Sequence, residues 1–252
     1  MTSKRTTEAD GRVVITEVLH AAAPRPADNA SIDEKIRYAV RFADAMAHRI
    51  AKDLAPLLRG IQATTQRSAR SEQARKQLDV NFSTPEYGLA LGISLKSVHI
   101  RDQKNRRYTH NMKRNEEELR IEASGYHKRQ PYAVMIGSLF LPFDSCEDAK
   151  TVRHPSSFGS WVKHLRPYCG RSGPKDDADR FEKLYIGLYE LDGSDLAFFD
   201  VQAAPPKHGR PGTLMTYADF LSMSYHEYLH RNMLEFAWAE GEEEPLGADE
   251  TY

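Results

Sequence analysis

The sequence contains few cysteines, two in 252 residues. Cys146 and Cys169 are far apart and form no Cys-x-x-Cys pair. The two thiols alone therefore cannot provide a zinc site built from thiolates. We expect both to be reduced thiols, as is usual in cytoplasmic proteins.

Long apolar runs are also absent. No stretch approaches the roughly 20 apolar residues that a membrane-spanning helix needs, and the polar segment from Met1 to Asp10 lacks the apolar core of a signal peptide. The expected location is the cytoplasm. Neither glycine-rich phosphate motif, G-x-x-x-x-G-K or G-x-G-x-x-G, occurs in the sequence, which argues against a nucleotide hydrolase or a dinucleotide-dependent enzyme.

An excess of charge of either sign is missing, because the formal net charge is −1. The charges are nevertheless distributed unevenly. The segment from Arg101 to Arg114 is basic, with Asp102 as its sole acid, whereas the segment from Glu240 to Tyr252 has acids and no base. Hydrophobic residues make up 40% of the chain, enough for a buried core, and the length suits one large domain.

The first third of the sequence is mostly helical in pattern. Capping-box spacing at Ser31 and the apolar stripe that follows predict a helix over 32–52. A polar segment rich in Arg and Gln predicts a second helix over 57–76. Residues 1–30 lack a clear period, and we expect a flexible segment there, with a short strand at Val13–Val18.

A period of two, typical of strands, begins at Leu78. Leu78–Phe82 and Leu89–Ile100, separated by turn residues, predict a hairpin. The continuous apolar run Tyr132–Leu141 predicts a strand buried on both faces. The remaining predicted elements are helices at 115–128, 157–168 and 216–234 and strands at 184–191 and 196–201. This order predicts an α/β fold with a mixed central sheet flanked by helices.

The predicted hairpin brings polar residues of a catalytic type together. With the turn centred between Glu86 and Tyr87, Asp79 faces Ser94 at about 4.5–5.5 Å between Cβ atoms. Lys96 lies two residues after Ser94 and points to the same side. Phosphodiester hydrolysis uses a carboxylate that holds a metal ion, with a lysine close to the reacting phosphate.

This layout resembles the PD-(D/E)xK, or restriction-endonuclease-like, nuclease superfamily over about residues 60–142, in a Ser-x-Lys variant. The resemblance implies a restriction-endonuclease-like core that hydrolyses DNA with Mg²⁺ or Mn²⁺. Ser94 stands where the family has its second acid, and such variants bring the missing acid from the following helix. Here that helix offers Glu116, Glu117, Glu118 and Glu122, of which Glu118 is our first choice. The implied catalytic residues are Asp79, Ser94, Lys96 and Glu118, and the implied metal ligands are Asp79, Glu118, Glu122 and Glu72.

The basic segment suits the same function as a DNA-binding loop. The expected DNA-contacting residues are Arg101, Lys104, Arg106, Arg107, Asn111, Lys113 and Arg114. Cleavage of both strands implies a homodimer, and the resemblance implies a bacterial restriction or anti-phage defence enzyme. On this interpretation the nuclease domain spans residues 31–238, and residues 239–252 form a disordered acidic tail.

Two other functions are compatible with the sequence. Residues 226–230 read H-E-x-x-H, which on a helix places two imidazoles one turn apart, as in zinc metallopeptidases. No third histidine follows at the usual spacing, and an amphipathic helix explains the segment better than a peptidase site. A non-catalytic DNA-binding module with a degenerate nuclease site would also account for Ser94.

Overall fold

The computed structural model describes residues 10–58, 62–65, 78–84, 88–149, 154–206 and 208–242. Its centre is a six-stranded sheet whose spatial order follows the chain. The strands are β1 (Gln62–Thr65), β2 (Val80–Thr84), β3 (Gly88–Ser97), β4 (Val134–Pro142), β5 (Lys183–Tyr189) and β6 (Leu196–Asp200). β3, β4 and β5 run parallel, and the other neighbouring pairs are antiparallel. The mixed α/β sheet predicted from the sequence is confirmed.

Helices cover both faces of this sheet. They are α1 (Gly11–Ala22), α2 (Ile32–Leu54), α3 (Met112–His127), α4 (Ser157–Leu165) and α5 (Tyr217–Glu242). One apolar core lies between the sheet and α1, α2 and α5, and a second lies between the sheet and α3 and α4. Among the described residues, no helix combines the length and apolar character of a transmembrane span.

The helix predicted over 32–52 is confirmed as α2, and its start follows from a capping box. The Ser31 hydroxyl accepts the backbone N–H of Glu34 at 3.2 Å, and the Glu34 carboxylate accepts the backbone N–H of Ser31 at 2.9 Å. Two of the free N–H groups in the first turn are satisfied in this way. Tyr38, Phe42 and Met46 then form the buried stripe that packs on the sheet.

The strand expected at Val13–Val18 was wrong. Residues Gly11–Ala22 instead form α1, capped by Asp10, whose side chain accepts the backbone N–H of Arg12 at 3.0 Å. β-branched residues suggested a strand, but Val14, Ile15 and Val18 share one helical face and are buried. Burial of that face outweighs their weak preference against helices.

Two further regions differ from the prediction in their secondary structure. The helix expected over 57–76 is contradicted at Gln62–Thr65, which pairs with β2 as strand β1, and residues 66–77 lie outside the described part. Helix α5 continues to Glu242, so the first four residues of the expected disordered tail are helical. Segment 232–240 contains no Gly or Pro and therefore does not interrupt the helix.

Glu182, directly before β5, is a buried carboxylate that contacts residues of α3, α5 and β4. Its Oε1 accepts from Arg171 at 2.8 Å and from Arg231 of α5 at 3.1 Å. Its Oε2 accepts the backbone N–H of Met135 at 2.7 Å and lies 3.4 Å from Nε2 of His127. Because breaking a buried ion pair leaves an uncompensated charge, this cluster fixes α5 and the end of α3 to β4.

The docking of α1 gives a prediction about stability. Ile15→Ala should lower the free energy of unfolding by about 2–4 kcal/mol, because the side chain is fully buried. Val13→Ala, on the exposed side of the same helix, should change it by less than about 0.5 kcal/mol. Urea unfolding of both variants measures the difference, and equal effects would contradict the docking of this helix.

Candidate active site between β3 and α3

The register of the β2–β3 hairpin positions Asp79. Val80 pairs with Ile93, so Asp79, one residue earlier, lies opposite Ser94, in agreement with the predicted pairing. The Asp79 carboxylate accepts the backbone N–H of Leu95 at 2.6 Å. This hydrogen bond fixes the carboxyl group beside β3, just before the first residue of β2.

Alternation along β3 decides which side chains meet α3. Ile93 and Leu95 belong to the core that contains α2, so Ser94 and Lys96 point to the opposite face. On that face both reach Glu122 of α3. The Ser94 hydroxyl donates to one carboxylate oxygen, and Lys96 Nζ donates to the other at 2.9 Å.

Among the helix acids, Glu122 has the central position. It is 7% exposed and contacts both Ser94 and Lys96. Glu118, one turn earlier and our first choice from the sequence, lies 3.9 Å from Lys96 Nζ and also accepts from Arg114 at 2.9 Å. The structure thus brings together four of the predicted residues, namely Asp79, Ser94, Lys96 and Glu122, with Glu118 at the edge of the group. Glu72 lies outside the described residues.

Burial and neighbouring acids shift the protonation of Asp79. Burial raises the pKa of this carboxyl group, the Leu95 N–H and the charge of Lys96 lower it, and the charges of Glu122 and Asp44 raise it, giving a pKa of about 6. Asp44 comes from α2, and no spacing in the sequence links it to the hairpin. The carboxylate is therefore held in an environment that resists its negative charge.

Lys96 remains a cation despite its burial. Burial lowers the pKa of its ammonium group, but the negative charges of Glu122, Asp79 and Glu118 outweigh that effect, and the net shift is upward. A charged lysine with a raised pKa is unsuited to act as a general base at neutral pH. It is suited to stabilise negative charge.

The donor set suits a hard divalent cation. Asp79, Glu118 and Glu122 are three carboxylates around one ammonium group, so negative charge is in excess. Within the described ranges, no three His, Cys, Asp or Glu residues already surround a common point that would hold a metal ion. Mg²⁺ commonly uses one or two protein carboxylates and completes its coordination with water and substrate phosphate. Asp79 and Glu122 fit that pattern.

Two cations of the predicted DNA-binding loop are engaged in internal contacts. Arg101 donates to the Tyr108 hydroxyl at 3.3 Å and pairs with Asp144. Arg107 donates to the carbonyl of Pro155 at 2.7 Å and is 16% exposed. These two residues hold the loop against the segment after β4.

The other predicted contact residues face solvent. Lys104 and Asn111 are exposed, and Asn111 has the left-handed φ of 57° directly before α3. Ion pairs within the protein join Arg106 to Asp28, Lys113 to Glu117 and Arg114 to Glu118, but the three cationic side chains are 60%, 83% and 74% exposed. Their charged ends remain accessible to a partner.

The H-E-x-x-H segment does not form a zinc site in the described part of the chain. His226 and His230 are exposed on α5. Glu227, the general base in a peptidase, lies 3.7 Å from Lys183 in an ion pair. No third His, Cys, Asp or Glu among the described residues joins them to form a metal-binding group. The peptidase hypothesis thus has no structural support.

The raised pKa of Asp79 predicts how stability depends on pH. Because the folded pKa of about 6 exceeds the ordinary 3.8, the carboxylate costs stability as the pH rises through 6. Without divalent cations, the free energy of unfolding of Asp79→Asn should exceed that of the wild type by about 1–3 kcal/mol at pH 7.5. At pH 5 the excess should be about half as large, because the cost builds up between the unfolded pKa of 3.8 and the folded pKa of about 6.

Urea unfolding at the two pH values measures this difference. Asp177→Asn is the control, since that carboxylate is exposed, and it should have little effect at either pH. A loss of stability in Asp79→Asn that is equal at pH 5 and pH 7.5 would rule out a strained carboxylate.

Comparisons with known proteins give one distant structural neighbour. No family model matches the chain, and no curated protein matches it. Among solved structures, SfsA from Pyrococcus furiosus in complex with Ca²⁺ is similar at 15% sequence identity and a TM-score of 0.29. The similarity covers 64% of this chain and 62% of the SfsA chain, so this chain spans less than two thirds of that protein's length.

Proposed function

We propose that this protein is a metal-dependent nuclease that hydrolyses phosphodiester bonds in DNA. The observation that carries the proposal is the contact of 2.9 Å between Lys96 Nζ and Glu122, next to the Asp79 carboxyl group with its pKa of about 6. An ammonium group among carboxylates, on a hairpin and the helix after it, is the arrangement of the PD-(D/E)xK nucleases that the sequence resembles.

Each residue has a chemical role in this proposal. Asp79 and Glu122 would hold the metal ion, and Ser94 fixes the Glu122 carboxylate through its hydroxyl group. A bound Mg²⁺ or Mn²⁺ supplies charge neutralisation at the phosphate and lowers the pKa of an attacking water. Lys96 stabilises the negative charge that develops on the phosphate during attack.

Ser94 is compatible with catalysis because Glu122 is within its reach. Serine is a poor ligand for Mg²⁺ compared with a carboxylate. Its hydrogen bond orients Glu122, which lies on the same side of β3 as Lys96 and supplies the second acid from α3. This replacement is the one that the family resemblance implied, with Glu122 in place of the first choice, Glu118.

Exposed cations in the segment that links β3 to α3 support a nucleic acid as substrate. Lys104, Lys113 and Arg106 extend from the loop between β3 and α3 or the first turn of α3, and all are largely exposed. Cations at such positions neutralise phosphates. We extend the proposal to a homodimer with two active sites and, from the resemblance alone, to a restriction or anti-phage role.

Cleavage assays test the assignment of catalytic residues. In Mg²⁺, the wild type should nick and linearise plasmid DNA, and Lys96→Ala, Asp79→Asn and Glu122→Gln should each reduce the rate by about 10²–10³-fold. The control variant Lys128→Ala alters an exposed residue and should cleave at the wild-type rate. EDTA should abolish cleavage.

The same assays separate the alternatives. Cleavage that persists in all three site variants would refute the assignment of the site. A wild type that binds DNA but cuts in neither Mg²⁺ nor Mn²⁺ would favour the non-catalytic DNA-binding module.

The exposed cations give a separate prediction for binding. Lys104→Ala combined with Lys113→Ala should weaken DNA binding and reduce the slope of log K against log salt by about 2, one for each lost phosphate contact. Lys52→Ala, an exposed lysine at the end of α2, is the control and should leave the slope unchanged. An unchanged slope in the double variant would exclude these lysines from the DNA interface.

A further inference from the structure

Three neighbouring side chains carry buried polar atoms without a hydrogen-bond partner in the described part of the protein. The atoms are Arg25 Nε, the Tyr38 hydroxyl and His99 Nε2. Tyr38 is 1% exposed and His99 is 3% exposed. The rings of Tyr38 and His99 meet edge to face at 5.0 Å between centroids, and Arg25 Nη2 donates to the His99 carbonyl at 2.9 Å. The three side chains form one contiguous cluster.

Each of the three unpartnered atoms is able to donate a hydrogen bond, His99 Nε2 in the tautomer that carries its hydrogen there. The guanidinium Nε and the tyrosine hydroxyl each carry a hydrogen. The hydroxyl of Tyr189 lies 2.7 Å from Nδ1 of His99. Among the described residues, this hydroxyl is the one hydrogen-bond partner of the His99 ring. When that hydroxyl donates to Nδ1, the neutral imidazole carries its hydrogen on Nε2. Burial and the charge of Arg25 lower the pKa of His99 to about 3, so the ring is neutral at physiological pH.

The cluster also has excess positive charge. Arg25 donates one hydrogen bond, to a backbone carbonyl, and pairs with no carboxylate of the described residues. The charges that act on Tyr38 are those of Arg25 and Arg41, both positive. Leaving buried donors without acceptors costs free energy, and a cation without a counter-charge costs more. An anion with several acceptor oxygens would satisfy both needs.

We propose that Arg25, Tyr38 and His99 form a binding site for a phosphate group. A phosphate has enough oxygens to accept from three separate donors at once, and its charge balances the guanidinium. Because Tyr38 and His99 are nearly inaccessible, while Arg25 is half-buried, the ligand enters past Arg25. The site therefore takes inorganic phosphate or a terminal phosphate monoester, and not a phosphodiester within a chain.

This site is distinct from the candidate nuclease site. His99 follows β3 and packs against Phe42 of α2, with 4.3 Å between ring centroids. Lys96, three residues earlier, faces α3 on the other side of the sheet. The two sites share the end of β3 but no residue, so the inference does not depend on the proposed nuclease activity.

Thermal unfolding with inorganic phosphate tests the site. At constant ionic strength, phosphate at about ten times its Kd should raise the Tm of the wild type by roughly 3–6 °C relative to chloride. Tyr38→Phe removes one unpartnered hydroxyl and should fold normally yet lose most of this shift. Arg25→Gln should lose all of it. Tyr185→Phe also removes a buried, unpartnered hydroxyl, but one far from Arg25 along the chain, and should keep the full shift.

The source of the phosphate is distinguished by a second set of ligands. A nucleoside 5′-monophosphate that raises Tm more than inorganic phosphate, with no effect of the nucleoside alone, identifies a nucleotide ligand. Stronger binding of a 5′-phosphorylated oligonucleotide than of its 5′-hydroxyl counterpart identifies a DNA end. A shift with inorganic phosphate alone identifies the free ion.

Two results would overturn the proposal. One is a wild-type Tm that responds to phosphate no more than to chloride, which would leave a structural water as the partner of these donors. The other is a phosphate shift of equal size in the wild type, Tyr38→Phe and Arg25→Gln. Neither result depends on whether the protein cleaves DNA.

Discussion

Parallel pairing of β3 with β4 is the constraint on which the candidate site depends. Two parallel strands need a crossover that carries the chain from the end of the first back to the start of the second. Here α3 is that crossover, and it runs over one face of the sheet. The side chains of β3 that point to this face are consequently brought against α3, and Lys96 meets Glu122 for that reason.

Two clusters of charged side chains lie along α3, one with more carboxylates than cations and one with more cations than carboxylates. Around Lys96, three carboxylates surround one ammonium group. One turn beyond Glu122, His127 joins two guanidinium groups around the single carboxylate of Glu182. The second cluster is buried and holds α5 and β4 in place, whereas the first keeps a carboxyl group in an unfavourable environment. Functional sites typically reduce the stability of the fold locally, and strong packing elsewhere compensates for that loss.

Sequence reasoning predicted the parts that depend on local patterns. The hairpin register followed from turn residues and alternation, and it placed Asp79 opposite Ser94 correctly. The sequence could not decide between Glu118 and Glu122, because the rotation of a helix about its axis depends on its packing against the sheet. Helix α1 was missed because β-branched residues suggested a strand, although Val14, Ile15 and Val18 also fit a helical face.

Contacts distant in sequence were not accessible from patterns at all. Asp44 affects Asp79 from a helix that precedes the hairpin, and His99 meets Tyr189 through packing of strands far apart in the chain. No spacing rule relates such residues. The basic loop was located correctly as a charged segment, but only the structure separates Arg101 and Arg107, which hold the loop, from its exposed cations.

The compact sequence span of the candidate site has a consequence for folding. All of its side chains fall between Asp79 and Glu122, within one hairpin and the helix that follows. Contacts between residues close in sequence have a small loop-closure entropy and form early. During synthesis on the ribosome, these groups can assemble before β5, β6 and α5 have emerged, whereas the cluster around His99 has to wait for Tyr189.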